Sequence, residues 1–336
     1  MKVCIFGAGA IGGYLAARLL KASEHEVSVL ARGAHLQAIR HQGLRLITPT
    51  EDFVVHPHTA TDQPSDLPPQ DVVLVTLKAH TLPAIADQLA QLLRPEGQAV
   101  FINNGIPWWW TLGTPDAQPL PLLDPQGQLQ HALPARQVIG GVVYSANAVI
   151  APGVVRHTAN NQWILGQPDG QTSPQLAATV RGLCHAGLNA ESSDTIRHWV
   201  WKKLLRNAAM NSLCALTRVS VDQLAHGSDM LALYQQLVEE IAAVAAAQGH
   251  MLQGEVEAAK RVPLLGAAID GTPSARIKPS MLQDVEAGRS LEVEAIVGQV
   301  QAFARQHQVS TPVLDAVVPL LRTLNAQLSQ RAAATA

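Results

Sequence analysis

The chain has 336 residues, 47% of them hydrophobic and 15% charged, which is enough for two domains with substantial cores. Its 24 lysines and arginines against 26 aspartates and glutamates leave a net charge of -2, and no basic run stands out, so neither nucleic acid nor an anionic membrane is an expected partner. No apolar run approaches the roughly 18 residues of a membrane span, and the chain opens on a strand pattern rather than a signal peptide, so a cytoplasmic setting is expected. Cys4, Cys184 and Cys214 lie far apart in apolar segments and read as reduced core thiols. His56 and His58 have no third ligand nearby, so no metal site is expected.

Lys2 to Phe6 is a short apolar run of strand character, and it feeds at once into Gly7-Ala8-Gly9-Ala10-Ile11-Gly12, followed by the helix-forming Tyr14 to Leu20. A G-x-G-x-x-G turn between a strand and a helix is built for a dinucleotide. The first glycine takes the tight turn, the second admits a pyrophosphate against the backbone, and the third lets helix and strand pack closely. Unpaired helix N–H groups then receive the anion. Glu26 to Leu30 is a second strand, ending in Ala31-Arg32-Gly33. NAD-preferring sites place an acidic residue here for the ribose hydroxyls. Arg32 would instead pair with a 2′-phosphate, which points to NADPH as the cofactor.

His35 to Gln42 reads as a helix, and Leu44 to Ile47 with Phe53 to Val55 as two short strands. Asp71 to Leu77 is apolar on both faces, as a central parallel strand must be, and it delivers Lys78 to the edge of the sheet where ligands bind. A helix is expected over Leu82 to Leu93, then a strand over Gln98 to Ile102 that ends in Asn103-Asn104-Gly105. Asn104 can serve as a turn residue or hold a ligand by its side-chain amide. Residues 106–133 carry Trp108-Trp109-Trp110 and many prolines, and read as an insertion that either packs over a ligand cleft or forms a dimer contact. Gln137 to Tyr144, Gly153 to Thr158 and Trp163 to Gly166 suggest three further strands, and Pro174 to Ala186 a covering helix.

From about residue 193 helical patterns take over, at roughly 195–217, 229–248, 253–268, 281–287, 291–306 and 311–328, with an Ala-rich tail after Arg331 expected to fray. The expected organisation is α/β plus all-α: a Rossmann-type dinucleotide-binding domain over 1–192 and a helical domain over 193–331, with a cleft between them. In the first of these helices Lys203, Asn207 and Asn211 recur every four residues and so form a ladder on one face. Asparagine is a mediocre helix former, so two at this spacing favour the wall of a polar cleft over an ordinary wet face. Downstream, Ser280 with Gln283 fits a capping box, and Glu292 stands near a helix start.

Taken together, the glycine turn with Arg32, Lys78 after its strand, Asn104-Gly105, the Lys-x-x-x-Asn-x-x-x-Asn ladder and Ser280-Met-Leu-Gln-Asp…Gly288-Arg…Glu292 resemble the ketopantoate reductase (2-dehydropantoate 2-reductase) family nearly end to end. The resemblance implies NADPH-dependent reduction of a 2-keto acid. Lys203 would be the proton donor, and Asn207, Asn211 and Ser280 would hold the substrate. Asn104 would touch both substrate and cofactor. Gly7 to Gly12, Arg32, Lys78, Ala146 and Glu292 would line the cofactor. A free lysine is protonated at neutral pH, so Lys203 is expected to serve as an acid without tuning.

Two departures keep the preferred keto acid open: only Thr217, Ser220 and Val221 stand where pantoate-forming members carry another substrate asparagine, and the Trp-rich segment follows Asn104-Gly105. Reduction of another branched 2-keto acid, a hydroxyacid or opine dehydrogenase, and a non-catalytic NADP-sensing regulator are the alternatives. A homodimer is compatible with the apolar helical half.

Overall fold

The computed structural model describes residues 1–115, 117–224, 226–265 and 278–335. The chain forms two compact units, the first from Met1–Asn103 and Pro107–Arg197, the second from Asn104–Ile106 and His198–Ala336.

The first unit is built on a ten-stranded sheet: β1 (Lys2–Phe6), β2 (Glu26–Leu30), β3 (Leu44–Ile47), β4 (Asp52–Val55), β5 (Thr59–Thr61), β6 (Gln70–Val75), β7 (Leu93–Phe101), β8 (Val138–Ala151), β9 (Val154–Gly166) and β10 (Asn189–Ser192). Six of these run parallel in the order β5-β2-β1-β6-β7-β8, the doubly wound arrangement in which ligands bind where the strand order reverses, here between β1 and β6. Cys4, Ile5, Val73, Leu74, Val75, Ala99 and Val100 are buried, as strands covered on both faces require. Helices α1 (Ala10–Ala22), α2 (Gly33–Gln42), α3 (Ala86–Leu92), α4 (Gln128–Ala132) and α5 (Pro174–His185) connect or cover the strands. Leu15 and Leu19 of α1 share one core with Leu176 and Leu183 of α5. Tyr14 stacks on His157 at 4.5 Å and on Trp163 at 6.0 Å between ring centroids. Ser173 caps α5 by accepting the Leu176 N–H, with Pro174 in the first turn.

Several elements differ from the sequence expectation. The three strands expected between residues 137 and 166 are one long antiparallel hairpin, β8 with β9, that bulges around Ala146. The helix expected from Leu82 opens with a 3₁₀ turn over Pro83–Ile85 and becomes α-helical only at Ala86. The tryptophan segment belongs to the first unit's core. Trp108, Trp109 and Trp110 form a 3₁₀ turn and are all buried. Trp108 meets Phe101 edge to face at 5.1 Å. Trp109 lies so close to Gly140 on β8 that a Cβ there would overlap its ring. Arg197 stands 5.8 Å over the Trp110 ring and donates to the carbonyls of Trp110, Leu112 and Pro168, which fastens the segment to the start of the long helix.

The second unit is helical: α6 (Ile196–Thr217, its first two residues in the first unit), α7 (Val221–Leu224), α8 (Ser228–Ala247), α9 (Gln253–Leu265), α10 (Ser280–Glu286), α11 (Gln299–Gln306, preceded by a π-helical turn over Glu294–Gly298) and α12 (Pro312–Thr335). The end of the helix expected over 253–268 lies outside the described residues. Among the described residues only α8 is long and apolar enough to cross a membrane by length and composition, and it packs Tyr234, Leu237, Val238, Ile241 and Val244 into the unit's core. Buried Glu240 on α8 accepts the Val313 and Leu314 N–H groups, a side-chain cap supplied to α12 from another helix. α12 runs through the Ala-rich stretch after Arg331 to Thr335, as alanine's helix propensity allows. Cys4 and Cys214 are buried thiols, burial pushing Cys214 up to about 12, whereas Cys184 is exposed and not a core residue.

The fit of Trp109 on Gly140 is testable by denaturant unfolding. Gly140→Ala should cost about 1–3 kcal/mol through overpacking, and Trp109→Ala about 3–5 kcal/mol through the cavity it leaves. Gly140→Ala combined with Trp109→Leu should cost less than the sum of the two single changes, because the smaller side chain makes room for the methyl. Strictly additive costs would show that the two positions do not press on one another.

Candidate functional site

In the first unit the turn after β1 has the geometry its glycines imply. Gly7 adopts φ +105°, a conformation that L side chains rarely take. A Cβ on Gly12 would overlap the Gly7 carbonyl oxygen, whereas nothing lies within 4 Å of one placed on Gly9. The Gly7 and Ala8 N–H groups both donate to the Leu30 carbonyl, at 3.1 and 3.0 Å, and Thr76 Oγ1 donates to the Gly7 carbonyl at 2.5 Å. The first turn of α1 closes with Gly13 N–H to Gly9 O, so helix geometry leaves the Ala10, Ile11 and Gly12 N–H groups without an intrahelical carbonyl. Open space over Gly9 beside helix N–H groups fits a pyrophosphate.

Arg32 is exposed in extended conformation at the N-cap of α2, directly after β2. Lys78 follows β6 and caps a 3₁₀ turn, its carbonyl accepting from the Thr81 N–H at 2.9 Å and hydroxyl at 2.7 Å. Asn103 at the end of β7 donates its amide to the Leu77 carbonyl. Ala146 sits at the bulge of β8, paired with Ala159.

The second unit gathers the other predicted residues. Lys203 on α6 donates to Asn104 Oδ1 at 2.8 Å. The segment that carries Asn104 is pinned by Ile106 N–H to Ala295 O, 2.7 Å, and Gly105 lies against the Ala295 backbone at φ +84°, where a Cβ would overlap that carbonyl. Glu292, buried two residues before the π-helical turn, is close enough to stabilise the Lys203 ammonium electrostatically. Burial outweighs this attraction, and neighbouring Arg206 adds repulsion, so the Lys203 amine is lowered to about 8. The expectation of an untuned lysine is therefore corrected: the helix wall around it is too apolar to leave the ammonium at its solution value.

Asn207 is half-buried, and its carbonyl accepts from Asn211 Nδ2 at 2.7 Å. Asn211 is 1% exposed, and its Oδ1 accepts from Ser280 Oγ at 3.2 Å and from the Met281 N–H at 2.9 Å. This contact replaces the expected capping box. The Ser280 hydroxyl turns to Asn211, the Gln283 amide goes to the Lys278 carbonyl, and α10 has no side-chain cap at Pro279.

In the region of the absent asparagine, Thr217 Oγ1 donates to the Leu213 carbonyl at 2.6 Å, Ser220 Oγ to Gln223 Oε1 at 2.8 Å, and Val221 is buried. Thr76, His35 and Arg206 are the neighbours that sequence reasoning missed. Thr76 alone had a signal, a polar residue inside an apolar strand pattern. No group of His, Cys, Asp and Glu among the described residues could hold a metal ion.

Comparison with known proteins places these residues in context. The family model described as ketopantoate reductase PanE/ApbA matches residues 3–170, and its C-terminal companion matches residues 195–325. A 2-dehydropantoate 2-reductase of Mesorhizobium japonicum is 38% identical over 327 residues, covering 96% of this chain and 98% of that one. A crystal structure of a PanE/ApbA family ketopantoate reductase from Ralstonia eutropha JMP134 superposes with a TM-score of 0.81 at 27% identity, covering 98% of this chain and 100% of that one. One of 2-dehydropantoate 2-reductase from Geobacter metallireducens GS-15 gives 0.83 at 25% identity, covering 96% and 99%. With a Rossmann-type unit, a helical unit and family models that match both, the chain belongs to the ketopantoate reductase family.

Proposed function

We propose that the protein reduces 2-dehydropantoate to pantoate with NADPH, the step that feeds pantothenate synthesis, in a cytoplasmic enzyme that can pair as a homodimer. The observation that carries the reading is the Lys203 ammonium, hydrogen-bonded to Asn104 and electrostatically coupled to Glu292 within one helical unit of a family named for this reaction. When bound, NADPH would supply the hydride to C2 of the keto acid. In this assignment the N–H groups of Ala10 to Gly12 receive its pyrophosphate, Arg32 its 2′-phosphate, and Lys78, Asn104, Ala146 and Glu292 line it.

As hydride reaches C2, negative charge builds on the carbonyl oxygen and a proton must follow. Lys203 has three N–H donors, and its hydrogen bond to Asn104 aims the ammonium for that role. A cation in an apolar wall stabilises the developing alkoxide, and an amine lowered to about 8 gives up its proton more readily than a free lysine. Asn207 and the Ser280 hydroxyl are assigned to the substrate carboxylate and hydroxyl. Asn211 shares that set through its second amide hydrogen and through its hold on Ser280.

Reduction of a different branched 2-keto acid is the second reading. It is favoured by buried Val221 and by the internally bonded Thr217 and Ser220, none of which offers the amide that pantoate-forming members carry there.

NADPH oxidation followed by absorbance, with 2-dehydropantoate beside a panel of branched 2-keto acids, tests both readings. Turnover on 2-dehydropantoate is expected; turnover on another acid alone would shift the substrate, and tight NADPH binding with no turnover on any would leave a sensor.

Lys203→Ala should lower kcat by about 10²–10⁴-fold while NADPH affinity, measured by fluorescence, stays within a few-fold. Because the acid form is needed, reduction should hold below pH 8 and decline as pH rises through about 8, the value to which burial brings Lys203. Oxidation of pantoate needs the neutral amine and should rise over the same range. Parallel profiles in the two directions would remove Lys203 from the proton transfer.

Arg32→Ala should raise the NADPH KM by about ten- to a hundredfold, the worth of a charged hydrogen bond, with the NADH KM little changed. An equal loss for both cofactors would place the 2′-phosphate elsewhere.

A further inference from the structure

His35 stands in the first turn of α2, three residues after Arg32, and makes two hydrogen bonds to backbone outside its own helix. The Gly153 N–H, at the turn of the β8–β9 hairpin, donates to Nδ1 at 3.0 Å, and Nε2 lies 2.7 Å from the Ala8 carbonyl. The first contact fixes the second. A backbone N–H can only donate, so Nδ1 carries no proton, the ring proton is on Nε2, and Nε2 donates to Ala8. Half-burial of the ring disfavours its charged form and keeps this tautomer neutral.

Ala8 is thereby held through both of its backbone polar groups, its N–H on Leu30 O and its carbonyl on His35. Leu30 ends β2, and Arg32 stands at the N-cap position of α2, the helix whose first turn carries His35. The imidazole therefore closes a short loop of hydrogen bonds that joins the glycine turn to the Arg32 corner and anchors both on Gly153.

We propose that His35 is a positioning residue for the cofactor, an imidazole clasp that sets the pyrophosphate turn against the arginine that reads the 2′-phosphate. The proposal rests on the assignment of Gly7 to Gly12 and Arg32 to NADPH. His35 touches no part of the ligand in this account. It acts through the Ala8 carbonyl, so that Ala10 to Gly12 and Arg32 meet the two phosphate groups at one fixed separation.

NADPH and NADH titrations by fluorescence, steady-state kinetics and cofactor-free melting temperatures of the wild type, His35→Ala, His35→Gln and His35→Asn test it. Glutamine can place an amide N–H near the position of Nε2, whereas asparagine reaches only the position of Nδ1. The expected result is NADPH binding weakened about three- to tenfold in His35→Ala and His35→Asn, the equivalent of one buried hydrogen bond. NADH should weaken less, and kcat and the keto-acid KM should remain near wild type. His35→Gln should restore most of the loss. NADPH affinity and NADPH-to-NADH preference unchanged in His35→Ala would overturn the proposal. So would kcat, both KM values and melting temperature failing together in all three variants, which is the mark of a purely structural residue. A wild-type protein that binds no NADPH would overturn the cofactor assignment itself.

Discussion

An ammonium taken out of water must be solvated by the protein, and Asn104 and Glu292 are among the groups that do so at Lys203. Asn104 supplies a carbonyl oxygen at 2.8 Å, and Glu292 supplies negative charge. Neither comes from α6 itself. Asn104 is delivered by the strand end after β7 and held by Gly105 and Ile106 against Ala295. Glu292 precedes the same turn. A side chain on Gly105 would push Asn104 off this support, so one lysine's environment constrains a backbone conformation almost a hundred residues upstream. The lowered amine follows from incomplete compensation: burial disfavours the charge by more than the one carboxylate restores, while Arg206 opposes it.

The glycine turn obeys a similar rule with backbone groups in place of side chains. Its N–H and carbonyl groups are divided between those spent on the fold and those facing outward. Gly7 and Ala8 donate to Leu30, while the Gly7 and Ala8 carbonyls go to Thr76 and His35. Once the turn's own polar groups are satisfied by Leu30, Thr76 and His35, the next N–H groups belong to a helix start, where no intrahelical acceptor exists. The proposed anion site is what remains once these polar groups have been assigned.

The β1–turn–α1 unit, β2 and the apolar central strand could be read from residues alone, because burial on both faces and glycine geometry leave few alternatives. The β8–β9 hairpin could not. Its outer half, Ser145 to Ala151 with Arg156 to Gln162, is exposed or half-buried and has no clean alternation. β5 and β10 are three and four residues long and were missed for want of pattern. Trp109 packs on Gly140, a partner about thirty residues away that no local period announces. At the candidate site the residue types on the α6 ladder were legible, but the lowered Lys203 amine was not, since it depends on what surrounds the helix. The apparent capping box at Ser280 failed for the same reason: Asn211 offers its hydroxyl a tertiary partner, and a local motif yields to it.

The ladder also separates into different tasks once its surroundings are known. Lys203, Asn207 and Asn211 share a helix face and spacing, which in sequence makes them look equivalent. Lys203 and Asn207 are half-buried, whereas Asn211 is 1% exposed and binds the Ser280 hydroxyl, the Met281 N–H and the Asn207 carbonyl. Its amide joins two helices, α6 and α10, by hydrogen bonds that neither helix could satisfy internally, because Met281 lies in the first turn of α10, where no carbonyl of that helix is available. An asparagine serves there because it offers acceptor and donor on one short rigid arm. Aspartate would lose the donation to Asn207, and leucine would leave a buried N–H without a partner. In the proposed reaction Asn211 therefore acts chiefly by fixing where the Ser280 hydroxyl stands, and substrate contact falls to the more exposed Asn207 and to Ser280 itself.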